Sequence, residues 1–115
     1  RLILQPNIHS EPIRQWAVEN SWKIIDEAIL EEDDHIYEIL VLERGEVTYT
    51  PLQLLVGPKL LIEKNATFQK KWQDECRSWQ NVLQSLEQAK PSEEVARKKE
   101  ELRQKIEAIE KVMNP

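Results

Sequence analysis

The segment that most constrains this chain is its opening, Leu2-Ile3-Leu4-Gln5-Pro6-Asn7, three aliphatic residues that stop at an amide, a proline and a second amide. A short apolar run bounded by turn-forming residues reads as a strand of the kind buried inside parallel sheets. No methionine precedes it, and no partner strand fits upstream. The expectation is a strand whose neighbours have been cut away, in a chain that is the back half of a larger α/β protein. Expressed alone, such a strand presents an unpaired edge, which invites aggregation or strand exchange.

Ser10 offers a side-chain oxygen as helix N-cap, followed by Glu11, which the helix dipole favours, and by Pro12, which the first turn tolerates. The helix should run to about Glu19, with Ile13, Trp16 and Ala17 as its apolar stripe. Two apolar runs follow, Lys23–Leu30 and Ile36–Leu42, joined by Glu31-Glu32-Asp33-Asp34. They read as an antiparallel hairpin with a loop of several residues. The second run is almost continuously apolar and is placed inside the sheet, buried on both faces, between the opening strand and its partner. The first carries Asp26-Glu27 in its middle, which fits a rim strand guarded by charge. A parallel sheet that ends in an inserted antiparallel strand marks the Rossmann-like methyltransferases, an analogy of fold and not of function.

Thr50-Pro51-Leu52-Gln53 has the form of a capping box, with Thr50 at N-cap and Gln53 at N3. A short helix should reach about Val56, break at Gly57-Pro58 and be followed by another turn over Leu60–Glu63. Farther on, Phe68, Trp72, Cys76, Trp79, Leu83 and Leu86 recur at steps of three and four, which is one helical face. Pro91 and Ser92 mark a stop and a new N-cap. Val95, Leu102 and Ile109 then recur every seven residues, with Ile106 and Met113 in the second seam position. Two such helices joined by a very short turn must run antiparallel. The expected organisation is residues 1–60 as an α/β part and 61–115 as an antiparallel coiled coil.

Composition narrows the functions. Two glycines cannot make a glycine-rich phosphate loop, and the single Cys76 allows neither an intrachain disulfide nor a cysteine-based metal cluster. A reducing compartment such as the cytoplasm fits that usage. The longest apolar region, 52–62, is broken by Gln53, Gly57, Pro58 and Lys59, so no membrane span is expected. Residues 1–63 hold 5 basic and 12 acidic side chains, whereas residues 64–115 hold 11 basic and 9 acidic ones. A mildly basic tail after an acidic half hints at an anionic partner for the tail.

Together these blocks resemble the C-terminal part of the bacterial tRNA (adenine-22-N1)-methyltransferase family. The resemblance rests on Leu2 to Asn7, on Ile-Asp-Glu-Ala-Ile-Leu-Glu-Glu at 25–32, on Ile-Tyr-Glu-Ile-Leu-Val at 36–41, and on Tyr49 to Leu55 with Gly57-Pro58. It implies methyl transfer from S-adenosylmethionine to N1 of an adenine in the D-arm region of tRNA. It also implies a Rossmann-like domain followed by an antiparallel coiled coil that helps to hold the tRNA. The family's glycine-bearing cofactor motifs lie upstream of the matched part, so this chain alone is expected neither to bind the cofactor nor to catalyse.

Gln5, Pro6 and Asn7 end a strand on the side where open α/β sheets place ligands, and their amides suit the Watson–Crick edge of an extruded adenine. The plainer reading is that Pro6 shapes a turn and Asn7 caps it. Tyr37 and Glu38 interrupt an apolar strand. Glu38 either accepts a proton or contacts the base, or it is a structural carboxylate. His9 and His35 lie far from any ligand pattern, which leaves metal out. Trp72 and Trp79 belong to the seam, although exposed aromatics can stack on bases. Lys70, Lys71, Arg77, Arg97, Lys98, Lys99, Arg103 and Lys105 are candidates to neutralise tRNA phosphates. Interleaved glutamates at 93, 94, 100 and 101 fit a merely solvated surface equally well. The competing function is a non-enzymatic coiled-coil interaction module. Self-association through the sheet edge or the coiled coil is compatible with either reading.

Overall fold

A computed structural model describes residues 1–6 and 9–114. The elements are β1 (Leu2–Leu4), α1 (Glu11–Glu19), β2 (Trp22–Glu32), β3 (His35–Arg44), α2 (Pro51–Val56), α3 (Pro58–Glu63), α4 (Ala66–Glu87) and α5 (Glu93–Met113). They fall into two compact units, residues 1–68 and 69–115.

In the first unit the strand order is β1-β3-β2, with β3 antiparallel to both neighbours. The inserted antiparallel strand therefore lies where the hydrophobic runs put it, with β2 at the rim. The hairpin is tighter than expected. Glu31 and Glu32 stay in the ladder opposite Ile36 and His35, leaving a two-residue turn, Asp33-Asp34. Both turn residues have positive φ, +51° and +64°. This is the primed turn whose twist matches the strands, and aspartate tolerates the left-handed region better than most residues.

One face of the sheet carries the core. Ala17, Ile24, Leu40 and Leu42 are buried together, and Leu2, Leu4, Ile13, Trp22 and Tyr49 pack around them. Within this chain the burial of β3 alternates. Glu38, Leu40 and Leu42 are buried, whereas Tyr37, Ile39 and Val41 on the other face are half-buried. On that second face Ile3 and Leu30 are exposed. Within this chain the second face of β3 is only partly covered.

A β-bulge between Ile24 and Asp26 resets the phase of β2. Ile24 faces the core before the bulge, and Glu27 and Ile29 do so after it. An extra residue flips every side chain beyond it to the opposite face. Hence Glu27 is not a rim charge but a buried one. On α1, Ile13 and Ala17 pack inward as the spacing indicates, but Trp16 stays exposed and Arg14 is fully buried in its place. Ser10 does not cap α1 through its side chain. It has helical angles (φ −87°, ψ −18°), and its carbonyl accepts from Arg14 N at 2.9 Å.

The capping box at Thr50 is complete. Gln53 N donates to Thr50 Oγ1 at 3.1 Å, and Thr50 N donates to Gln53 Oε1 at 2.9 Å. Gly57 ends α2 and starts α3. After α3, Asn65 Oδ1 accepts from Phe68 N at 2.9 Å and starts α4.

In the second unit the remainder of α4 pairs with α5 as an antiparallel helical hairpin. Arg103 reaches Glu87 at 3.6 Å, and the Lys105 ammonium sits 5.8 Å from the Trp79 ring centre. Ser92 Oγ accepts from Val95 N at 3.1 Å and starts α5, as the Pro-Ser signal indicates. The buried face of α5 is Leu102, Ile106, Ile109 and Val112. Val112 takes the innermost place expected of Met113, which is half-buried. The seven-residue spacing does not distinguish these two neighbours at the end of the seam.

Candidate functional site

Three places in the chain carry groups able to bind or do chemistry. The first is the C-terminal end of β1. Leu4, the last residue of β1, is opposite Leu40. Gln5 is exposed and Pro6 half-buried, while Asn7 lies outside the described residues. Tyr37, half-buried, lies on the neighbouring strand with its ring centre 6.3 Å from that of His35. An exposed amide and a phenol ring at the C-terminal end of a strand can hydrogen-bond and flank a planar ligand.

The second is a buried ion cluster. Arg14 Nε donates to Glu27 Oε2 at 2.8 Å, and Arg14 Nη2 donates to Glu38 Oε1 at 2.6 Å. Arg14 Nη1 donates to the carbonyls of Leu54 and Leu55, both at 3.1 Å. Glu27 Oε1 accepts from Lys59 N at 2.8 Å and from Leu60 N at 3.4 Å. The cation therefore closes the C-terminal end of α2 and the carboxylate closes the N-terminal end of α3, the polarity each helix dipole favours. Gly57 sits against the cluster. A Cβ there would lie 2.7 Å from Arg14 Nη2 and 2.7 Å from Glu27 Oε1, and its φ of +101° disfavours side chains in any case. Glu38 is thereby assigned the structural of its two readings: it is 4% exposed and held by Arg14.

Arg14 went unrecognised in the sequence because a lone arginine on an amphipathic helix is usually exposed. The available signal was the pair of mid-strand glutamates, Glu27 and Glu38, neither of which has a basic neighbour on its own strand core. Two such carboxylates in one hairpin require a cation from another element.

The third place is the helical hairpin, where the candidate basic residues are spread around the helices. Lys70 is exposed, and Lys71 holds its ammonium 5.0 Å from the Trp72 ring centre. Arg77 pairs with Asp74 at 3.3 Å and Arg103 with Glu87. Arg97 and Lys98 are exposed and Lys99 is half-buried. At 100° per residue, Lys98 and Lys105 share one flank of α5 and Lys99 and Arg103 the other, with Arg97 on the outside. No single basic stripe forms. Trp72 is buried, and its ring lies 6.1 Å from that of Trp79, so both belong to the packed seam.

Beside this seam runs a groove of about 420 Å³. Cys76 lies in it, and burial, followed by the charges of Glu110 and Glu75, pushes its thiol above the ordinary range. Among the described residues no group of three or more histidine, cysteine or acidic side chains could hold a metal ion. No helix among them is long and apolar enough to cross a membrane.

A family model described as tRNA (adenine(22)-N(1))-methyltransferase matches residues 1–111. A curated Bacillus subtilis (strain 168) protein of that name is 52% identical over 81 residues, covering 65% of this chain and 34% of the relative. The B. subtilis m1A22 tRNA methyltransferase crystal structure superposes with a TM-score of 0.90 at 40% identity, covering 98% of this chain and 51% of the other. A Streptococcus agalactiae protein of the NADB-Rossmann superfamily gives a TM-score of 0.85 at 32% identity, covering 98% and 47%. A Streptococcus pneumoniae putative tRNA (m1A22) methyltransferase in complex with S-adenosyl-L-methionine gives 0.82 at 33% identity, again covering 98% and 47%. The chain thus spans about half the length of the solved relatives and about a third of the curated one.

Proposed function

Because this chain belongs to the tRNA (adenine(22)-N(1))-methyltransferase family, we propose that the intact protein methylates N1 of an adenine in tRNA from S-adenosylmethionine, this chain supplying the distal sheet and a tRNA-holding tail. The observation that carries the reading is the family match over residues 1–111. The α/β unit is the distal part of a Rossmann-like methyltransferase sheet, with the antiparallel strand between two strands parallel to each other. On this reading residues 1–60 close the catalytic domain and residues 61–115 form a coiled-coil domain. The enzyme works in the cytoplasm, and its coiled coil, or the sheet edge that this chain presents when it stands alone, allows self-association.

Gly45 follows β3 against Lys23, and Gly57 is pressed on the ion cluster, so neither lies in a phosphate- or ribose-binding loop. Cofactor binding falls mainly to residues outside this chain, and S-adenosylmethionine there supplies an electrophilic methyl group. Adenine N1 has its own lone pair, so the chemistry needs no covalent enzyme nucleophile. It needs the base held with its edge recognised and water kept away. The amides of Gln5 and Asn7, with Pro6 stiffening the segment between them, suit that task. Lys70, Lys71, Arg77, Arg97, Lys98, Lys99, Arg103 and Lys105 suit phosphate contacts from several sides of the hairpin. The ion cluster supports the first of these roles, because it fixes α1, the element into which the Gln5–Asn7 segment leads.

The test is methyl incorporation from labelled cofactor into tRNA by the intact protein, with the modified base mapped as a reverse-transcription stop. Incorporation that disappears when the target adenine becomes guanine is expected; incorporation elsewhere, or none, overturns the reading. Reversing Lys98, Lys99 and Arg103 to glutamate should weaken tRNA binding and flatten its salt dependence by about one log–log unit per lost phosphate contact. Affinity that ignores both salt and these substitutions removes the tail from the phosphate contacts.

A further inference from the structure

The groove beside the helical seam departs from what a hairpin needs for solubility alone. Gln69, Gln73 and Gln80 line it along one flank of α4, and Asn114 lies across from them after α5. Flanking positions of paired helices ordinarily carry glutamate and lysine, which set pairing and keep the surface charged. Here uncharged amides stand in their place, each with both donor and acceptor atoms. Seven residues past Gln80, the flank reverts to the ordinary pattern with the Glu87–Arg103 pair. The floor between the amide walls is apolar and polarisable, made by Cys76, Ile109 and Met113, with Trp72 also in the lining. Its two charged groups are Arg77 and Glu110.

We propose that this groove is a subsite for a single unstacked nucleobase of the RNA substrate, gripped by the glutamine amides over the Cys76–Met113 floor, with Arg77 meeting the attached phosphate. The assignment rests on the tRNA reading above and deepens it. An apolar floor takes a base face, and amides at the walls take its edge, which is how bases out of the stack are held. The volume of about 420 Å³ lies within the range of small-molecule sites. The two charges set the orientation. Glu110 repels a phosphate and accepts N–H donors from a base edge, whereas Arg77 attracts the phosphate. A base edge that turns an N–H donor toward Glu110 therefore fits better than an edge that turns only acceptors toward it.

The experiment uses the intact protein and measures KM for tRNA, kcat at saturating tRNA and affinity for S-adenosylmethionine. Cys76→Trp fills the floor and should raise KM by about tenfold, the size of effect expected for one lost base contact. Gln73→Ala and Gln80→Ala, at exposed positions that leave the seam intact, should each raise KM by about threefold. In all three variants kcat and cofactor affinity should stay unchanged, and helicity by circular dichroism should match the parent. Gln84→Ala, outside the groove, should behave as the parent does. If Cys76→Trp lowers helicity, the two glutamine variants decide. Unchanged KM in both overturns the subsite, including the case in which a protein segment occupies the groove instead. That result leaves the methyltransferase reading standing, whereas a parent protein that methylates no tRNA overturns the reading on which the subsite rests.

Discussion

Replacing Arg14 with methionine keeps most of the side-chain volume and removes the only cation that the structure shows inside the first unit's ion cluster. The change deletes contacts to Glu27 at 2.8 Å and to Glu38 at 2.6 Å, and it strips the Leu54 and Leu55 carbonyls of a shared donor. Glu27 and Glu38, 6% and 4% exposed, are then two buried carboxylates that have lost the cation they share. Breaking a buried pair by removing one partner costs about 3–5 kcal/mol. Glu27 retains its bonds from Lys59 N and Leu60 N, so the upper end of that range is not reached through Glu27 alone. A loss of about 4 kcal/mol is a large share of the 5–15 kcal/mol by which domains are stable. For a protein about twice this chain's length, as the solved relatives are, it lowers Tm by about 10 °C. Calorimetric melting of the intact protein measures this. The companion variant Arg14→Met/Glu27→Gln/Glu38→Gln removes the stranded charges and should recover more than half of the loss, since neutral replacement of a buried cluster is often nearly free. A Tm drop under about 2 °C for Arg14→Met alone, or no recovery in the triple variant, refutes the assignment of the cluster as a charge-compensated clamp.

Three smaller perturbations follow from single residues. Asp34→Gly at φ +64° should stabilise the hairpin by about 0.5 kcal/mol, the relief of left-handed strain less the added entropy of the unfolded chain; a chemical denaturation midpoint that falls contradicts the primed turn. Thr50→Ala removes half of the capping box and should cost about 1 kcal/mol by the same measurement. Cys76 has a raised pKa, so less of it is thiolate at a given pH, and it should react with iodoacetamide several-fold more slowly at pH 8 than a free cysteine. Glu110→Gln removes one of the charges that raise it and should speed the reaction, with the rate profile moving to lower pH.

Local pattern determined much of this protein. The strand Leu2–Leu4, the Thr50 capping box, the Gly57-Pro58 break and the Ser92 N-cap are set by residues within four positions of one another. The central place of β3 is also legible, from a hydrophobic run more continuous than that of β2. The candidate basic residues on the hairpin were legible as residues, but their distribution over several sides of α4 and α5 follows from helix geometry and pairing.

What tertiary structure alone decided is the phase of β2 and the meeting of Arg14 with Glu27 and Glu38. One bulged residue at Ile24–Asp26 turned Glu27 inward, and no local propensity separates a strand with a bulge there from one without. The same charges that resemble edge protection in the chain become the clamp that fastens α1, α2 and α3 to the sheet, because a buried carboxylate takes its partner from whatever element folds over it. The amide-lined groove is of the same kind: glutamines at 69, 73 and 80 are ordinary surface residues until α5 lies alongside and closes a floor beneath them.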